Sequence, residues 1–92
     1  MTIQSTSTSR SVTGTYRVIE QRQGSGIDFY FSVSGPDGRT SEQKVLWYPS
    51  MTALQVAEAA VAARLEADGT THVAAVAAQQ DPNEGGFVVR LT

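Results

Sequence analysis

The side chains most suited to catalysis in this sequence are one histidine and nine acids, and their spacing forms no recognisable catalytic group. His72 is the single histidine, and the chain has no cysteine. A metal centre or a Ser-His-Asp arrangement would therefore have to form around His72 alone. The Gly24-Ser25-Gly26 segment lacks the lysine and the following helix of a phosphate-binding loop. We expect a protein that is not an enzyme and that uses no cofactor or metal.

Arginine is the side chain here with the clearest binding chemistry. Six of the seven basic residues are arginine, whose planar fork matches carboxylate and phosphate groups. Arg22 stands beside the glycine-rich residues 24–26, and Arg39 follows the Pro36-Asp37-Gly38 turn. Both are predicted at loop tips, within reach of anionic groups on a partner. The alternative for each is an ordinary solvated turn charge.

The overall charge limits the partners that bulk attraction would select. The net charge of -2 is too even to favour nucleic acid as the main partner and too mild for a strong mimic of DNA. The sequence has no basic segment leading into an apolar run, and no stretch approaches the ~20 apolar residues that cross a bilayer. These features predict a soluble cytoplasmic protein without a membrane partner.

One predicted helix, residues 50–68, positions the rest of the chain. Apolar side chains recur on one side of it at a spacing of three or four. They are Met51, Leu54, Ala57, Val61 and Leu65. Thr52 and Gln55 have the spacing of a capping box, and Gly69 suits the left-handed position that ends a helix. Frequent alanine favours the helix and allows a sheet to approach closely.

Strand-like composition occurs on both sides of the helix. Residues 15–19, 27–34, 40–48 and 87–92 combine β-branched or aromatic side chains with turn residues at their ends. Residues 71–80 are ambiguous, because their alanines prefer helix while Val73, Val76 and the flanking threonines prefer strand. We interpret them as a strand, with a short second helix as the alternative.

Together these elements predict an α+β protein with a single antiparallel β-sheet in the order β-β-β-α-β-β and one alanine-rich helix packed on one face. Residues 1–11 are almost entirely polar and are predicted to be a flexible Ser/Thr-rich tail, with an edge strand as the alternative. Residues 12–92 are predicted to form a single domain.

A sheet covered by one helix leaves its other face for solvent or for a partner. Alternation along the strands predicts which side chains point away from the helix. We name this set the open face: Arg17, Ile19, Tyr30, Lys44, Leu46, Tyr48, Val88 and Arg90. Its cations and tyrosines are suited to interfaces. Any one-sided sheet also carries such a mixture, and a one-residue register slip in the third strand would exchange its two faces.

Several of these features together resemble the small phage-encoded anti-CRISPR proteins, in particular inhibitors of the type I-F (Csy) surveillance complex. The features are the overall size, the Ser/Thr-rich start, the Arg-bearing hairpins around Gly24 and Gly38, the single helix 50–68 and the lack of catalytic residues. The resemblance implies a stoichiometric inhibitor in the cytoplasm of the bacterial host. Such a protein binds the multisubunit CRISPR RNA-guided ribonucleoprotein and blocks target DNA hybridisation, without a small-molecule substrate.

For this contact with protein subunits or guide RNA phosphates we expect a set of partner-binding residues on the open face and the turns. They are Arg17, Arg22, Tyr30, Arg39 and Lys44. An alternative interface is the outer helix face with Gln55, Glu58, Ala62 and Glu66. Two other functions stay open: a phage structural or assembly module that self-associates through free sheet edges, and, less favoured by the charge balance, a small RNA-binding module.

Overall fold

The structure, a computed structural model, describes residues 13–70 and 76–92. Three strands, one helix and two further strands follow one another along this part of the chain. They are β1 (Gly14–Gln23), β2 (Asp28–Ser34), β3 (Thr40–Leu46), α1 (Ala53–Ala67), β4 (Val76–Gln80) and β5 (Phe87–Leu91). All pairings are antiparallel, and the strands form one sheet in the spatial order β3-β2-β1-β5-β4. The α+β class predicted from the sequence is confirmed.

The helix connects the two edges of the sheet. Strand β1 is central and pairs with β2 on one side and β5 on the other, so that β3 and β4 are the edge strands. Because α1 follows β3 and precedes β4, it crosses from one edge to the other, and it contacts all five strands. No helix within the described residues is long and apolar enough to span a membrane.

Local side-chain chemistry fixes both ends of α1. The backbone N–H of Thr52 donates to Gln55 Oε1 at 2.8 Å, and the backbone N–H of Gln55 donates to Thr52 Oγ1 at 3.1 Å. The predicted capping box is thus confirmed, and it places the first helical residue at Ala53. Gly69 has a φ of +80° directly after the C-cap, Asp68. This is the left-handed position that glycine adopts without steric strain.

The buried side of α1 begins one turn later than the sequence predicts. Its buried residues are Val56, Ala57, Ala60, Val61, Arg64 and Leu65. Leu54, predicted to face the core, is 38% exposed. Leu54 lies on the same side of the helix as the buried residues. It is exposed because it belongs to the first turn, before the part of α1 that packs on the sheet. The prediction was therefore wrong for Leu54 and correct for Ala57, Val61 and Leu65.

The core lies between α1 and one face of the sheet. The sheet contributes the buried residues Tyr16, Val18, Phe31, Val33, Val45, Val89 and Leu91. Phe29, Trp47 and Phe87 are partly buried and pack against this cluster. The alternation predicted from the sequence is confirmed, including the register of β3, where Val45 is buried and Lys44 is exposed.

Two predictions fall wholly or partly outside the described residues. The flexible tail predicted for residues 1–11 lies wholly outside them. For 71–80, the described part, 76–80, is a strand that pairs along its whole length with β5. Pairing with a neighbouring strand outweighs the helical preference of Ala77 and Ala78. Residues 71–75 lie outside the described ranges.

Candidate functional site

The open face points away from α1, as predicted. Residues directly opposite each other in an antiparallel pair share a face, and the register sets Arg17 opposite Val88 and Tyr30 opposite Lys44. Ile19 and Leu46 are each 39% exposed. Large apolar side chains thus stand among cations on a surface that α1 does not cover.

A row of three predicted binding residues crosses one end of this face. Arg22 lies opposite Tyr30 on β2, and Tyr30 lies opposite Lys44 on β3. The guanidinium carbon of Arg22 is 3.8 Å from the centroid of the Tyr30 ring, which is cation–π geometry. We call Arg22, Tyr30 and Lys44 the cationic row.

Arg22 joins this row because of a bulge in β1. The register between β1 and β2 shifts between Glu20 and Arg22, so that one extra residue is accommodated there. Without the shift, strict alternation along β1 would place the Arg22 side chain on the face of the sheet opposite to that of Arg17. The prediction that Arg22 lies at a loop tip was wrong, because β1 extends to Gln23.

Weak, exposed ion pairs surround the cationic row. Arg22 Nη2 lies 3.5 Å from Glu42 Oε1, and Lys44 Nζ lies 3.9 Å from Asp28 Oδ2. The Arg22 and Lys44 side chains are 57% and 53% exposed. Pairs this long and this solvated contribute little to folding. The two cations therefore remain accessible to the anionic groups of a partner.

Arg17 shares the open face but is held by the turn between β4 and β5. Its Nη1 lies 3.0 Å from Asp81 Oδ2, and its Nη2 lies 3.0 Å from Glu84 Oε1. Backbone N–H groups of Asn83 and Glu84 donate hydrogen bonds to the Asp81 carboxylate. Together with Arg17, these bonds lower the pKa of the Asp81 carboxyl. Arg17 thus stabilises the turn between β4 and β5.

Arg39 lies apart from the cationic row, on the side of the sheet where α1 ends. Its Nε donates to Asp37 Oδ2 at 2.8 Å, and its Nη2 lies 2.9 Å from Oδ1 of Asp68, the C-cap of the helix. These hydrogen bonds hold the pKa of the Asp37 and Asp68 carboxyls below their ordinary range. Arg39 therefore ties the β2–β3 turn to the end of α1.

Arg64 is a buried polar residue that the sequence analysis did not single out. Its side chain is 1% exposed and lies between α1 and the β2–β3 hairpin. It donates to Val33 O at 2.8 Å, Asp68 Oδ2 at 3.0 Å, Ser41 Oγ at 3.2 Å, Arg39 O at 3.2 Å and Asp37 Oδ1 at 3.4 Å. A charged group this deeply buried requires such complete hydrogen bonding.

The helical spacing contained the signal for this residue. Arg64 follows Val61 by three positions and Ala57 by seven, so it falls within the apolar stripe. Its guanidinium carbon also lies 6.0 Å from the centroid of the Tyr16 ring. Burial is the main cause of the raised pKa of Tyr16. Arg64 and Tyr16 therefore belong to the packed interior and not to the open face.

Within residues 13–70 and 76–92, no three His, Cys, Asp or Glu side chains lie close enough together to hold a metal ion. His72 lies outside these ranges.

Comparison of the chain with models of protein families, with curated proteins and with solved structures finds no match in any of the three.

Proposed function

We propose that this protein is a non-enzymatic inhibitor that binds the type I-F CRISPR RNA-guided surveillance complex and blocks hybridisation of target DNA. The identity of the partner comes from the resemblance described above. The proposed binding surface comes from the geometry, and the cationic row is the observation that carries it. Docking on a partner is the activity that an accessible row of this kind can support.

The composition of the cationic row supports a docking role. Tyrosine and arginine are the residue types that dominate binding energy at protein interfaces. The Tyr30 ring is already covered on one side by the Arg22 guanidinium, so less side-chain freedom is lost when a partner binds. Glu42 and Asp28 lie on either side of the cationic row, and these acids favour a protein surface of mixed charge over a long run of phosphates.

The direct test uses the purified type I-F complex with and without the full chain. We expect the protein to co-elute with the complex on a sizing column and to abolish its binding to target DNA. Absence of co-elution together with intact DNA binding would reject the type I-F complex as the partner. Co-elution with intact DNA binding would reject the blocking mechanism alone.

An assembly module is the second candidate, and the edge of the sheet favours it. Strand β4 is an edge strand without charge or proline, and such edges pair readily with other chains. This function predicts a concentration-dependent increase in mass by sedimentation and no interaction with the surveillance complex. The two measurements therefore separate the candidates.

A further inference from the structure

The two edges of the sheet differ in how well they are protected. Strand β3 carries Glu42 and Lys44, and charged side chains of this kind discourage pairing with another strand. Strand β4, with the sequence VAAQQ, carries no charge and is exposed at four of its five positions. Within the described residues, no strand lies on its outer side. Strand β4 is thus the edge that is open to a further strand.

The hydrogen-bond alternation shows which backbone groups of β4 point outward. In the turn after β4, the N–H of Asp81 donates to Gly86 O at 3.0 Å, and these two residues continue the β4–β5 register. Hydrogen-bonded pairs alternate along an antiparallel ladder. Ala77 and Gln79 therefore direct their N–H and C=O groups toward β5, while those of Ala78 and Gln80 point to the outer edge.

Within residues 13–70 and 76–92, Arg90, next to this edge on β5, is the one Lys or Arg without an acidic partner. Every other Lys or Arg in the described residues forms an ion pair. All nine acidic residues of the sequence lie within the described ranges, so no undescribed residue can supply an acidic side chain. Arg90 is exposed and points to the open face. Its guanidinium is available to an external anion.

A small cavity lies beside Arg90, between β5 and the edge strand β4. It has a volume of about 50 Å³ and is lined by Ala77, Ala78, Gln79, Val88 and Arg90. Ala77 lies directly opposite Arg90 in the register, between it and the outer edge. Because the Ala77 side chain is a single methyl group, it does not block a side chain that reaches across β4 to Arg90. A strand added beside β4 would lie roughly 10 Å from the Arg90 backbone, which an acidic and an arginine side chain span together.

We propose that β4 accepts an extended acidic segment of a partner protein as a sixth strand, with one carboxylate of that segment reaching across Ala77 to Arg90. Backbone hydrogen bonds to Ala78 and Gln80 supply affinity, and the Arg90 ion pair selects acidic sequences. The inference rests on the proposed function in that the partner is a protein, and it adds the chemistry of the segment that is recognised. The cationic row lies on the same face but on β1, β2 and β3, toward the opposite edge of the sheet, and is not part of this contact.

The test uses fluorescein-labelled short peptides of alternating Glu and Thr, with Gln-Thr and Lys-Thr peptides of the same length. Fluorescence anisotropy with the full chain is expected to show binding in the order Glu, Gln, Lys. In ¹H–¹⁵N NMR spectra the Glu peptide is expected to shift the amides of Ala78 and Gln80. These peptides require no surveillance complex, so failure of the proposed function and failure of this inference are distinguishable.

Three variants test the Arg90 ion pair. Arg90→Gln is expected to weaken binding of the Glu peptide at least about threefold. The expected factor is small because a single exposed ion pair contributes little. The control change Glu66→Gln, at an exposed residue of α1 away from the open face, is expected to leave the affinity for the Glu peptide unchanged. Ala77→Glu supplies Arg90 with an internal partner and should give the same loss as Arg90→Gln.

Several outcomes would overturn the inference. Equal affinity for the Glu and Lys peptides, no binding of either, or an unchanged affinity in Arg90→Gln would each do so. Protection of Ala78 and Gln80 that increases with protein concentration would assign the edge to a second copy of the chain. Nuclear Overhauser contacts from residues 1–12 in the free protein would assign it to the chain itself. An RNA oligonucleotide that displaces the Glu peptide more strongly than free glutamate would assign Arg90 to nucleic acid.

Discussion

Nη1 of Arg64 donates a hydrogen bond of 2.8 Å to the backbone carbonyl oxygen of Val33. Arg64 lies on α1 and Val33 on β2, so a charged side chain joins helix and sheet inside the core. A buried guanidinium is tolerated only when its N–H groups are satisfied and its charge is balanced. Carbonyl oxygens, Ser41 and Asp68 meet these requirements here. Helix packing in this protein therefore depends on polar bonds as well as on apolar contact.

Arg64→Met is expected to lower the free energy of unfolding by about 2–4 kcal/mol. The methionine fills most of the space, but the carbonyl oxygens of Val33 and Arg39 lose their donor and Asp68 loses one of its two cations. Urea denaturation measures the change. Arg22→Met, at a residue whose side chain is 57% exposed, is the control and should stay within about 0.5 kcal/mol of the wild type. Equal stability of both variants would contradict a structural role for the buried network.

Acid is expected to destabilise the protein through Asp37 and Asp68. Hydrogen bonds from Arg39 hold the pKa of both carboxyls below the ordinary value of 3.8. A carboxyl whose pKa is lower in the folded state contributes stability that is present above the unfolded pKa. That stability is lost as the pH falls through the folded pKa. The urea midpoint should therefore decrease as the pH is lowered from about 4 toward 2.

Asp68→Asn tests this assignment. The amide cannot ionise, so the variant should be less stable at neutral pH and its urea midpoint should fall less steeply in acid. Glu58→Gln removes a carboxyl from the same helix that forms no ion pair within the described residues, and it should keep the wild-type pH dependence. An unaltered acid transition in Asp68→Asn would show that other groups cause it.

Two adjacent glycines allow backbone strain to be separated from steric clash. Gly85 and Gly86 have φ angles of +78° and +73°. A Cβ at Gly86 would lie 2.5 Å from the carbonyl oxygen of Val18, whereas a Cβ at Gly85 would meet nothing within 4 Å. Gly85→Ala is expected to lose about 1–2 kcal/mol through the positive φ alone. Gly86→Ala should lose roughly 1–3 kcal/mol more, because the β5 backbone must also move away from β1. Thermal unfolding of the two variants measures both losses of stability. Equal losses would contradict the close approach of Gly86 to the Val18 carbonyl oxygen.

The local elements of this fold could be predicted from the sequence, because their signals are short-range. Phe29 and Phe31 alternate with polar residues and so indicate which face of β2 is buried. Thr52 and Gln55 define the start of α1 without reference to other parts of the chain. The order of strands in the sheet has no such signal, since the pairing of β1 with β5 depends on residues more than 60 positions apart along the chain.

The candidate site was predicted only in part, for the same reason. Tyr30 and Lys44 follow from alternation alone. Arg22 depends on the bulge, which arises from the pairing of β1 with β2 and reverses the side on which it lies. Arg39 has the chemistry of a binding residue, but its partner Asp68 is distant in sequence, so its structural role emerges only in the fold. Arg64 was overlooked because a charge within an apolar stripe is usually exposed.

The cationic row leads to a prediction about binding that excludes Arg39. Simultaneous replacement of Arg22, Tyr30 and Lys44 by alanine should weaken binding to the type I-F complex at least about tenfold, since interface arginines and tyrosines carry much of the affinity. All three side chains lie outside the core, so the free energy of unfolding should change little. Binding is measured by titration of the labelled protein into the purified complex, and folding by urea denaturation.

Two further variants make this result specific. Glu58→Ala combined with Glu66→Ala alters the outer helix face and should leave the affinity unchanged. Arg39→Ala should lower the urea midpoint, because Asp68 loses its 2.9 Å partner, while the folded fraction binds as the wild type does. If the triple variant bound normally and the helix variant bound weakly, the interface would lie on α1. The open face would then be an ordinary solvated surface, on which Arg22 and Tyr30 merely stabilise each other.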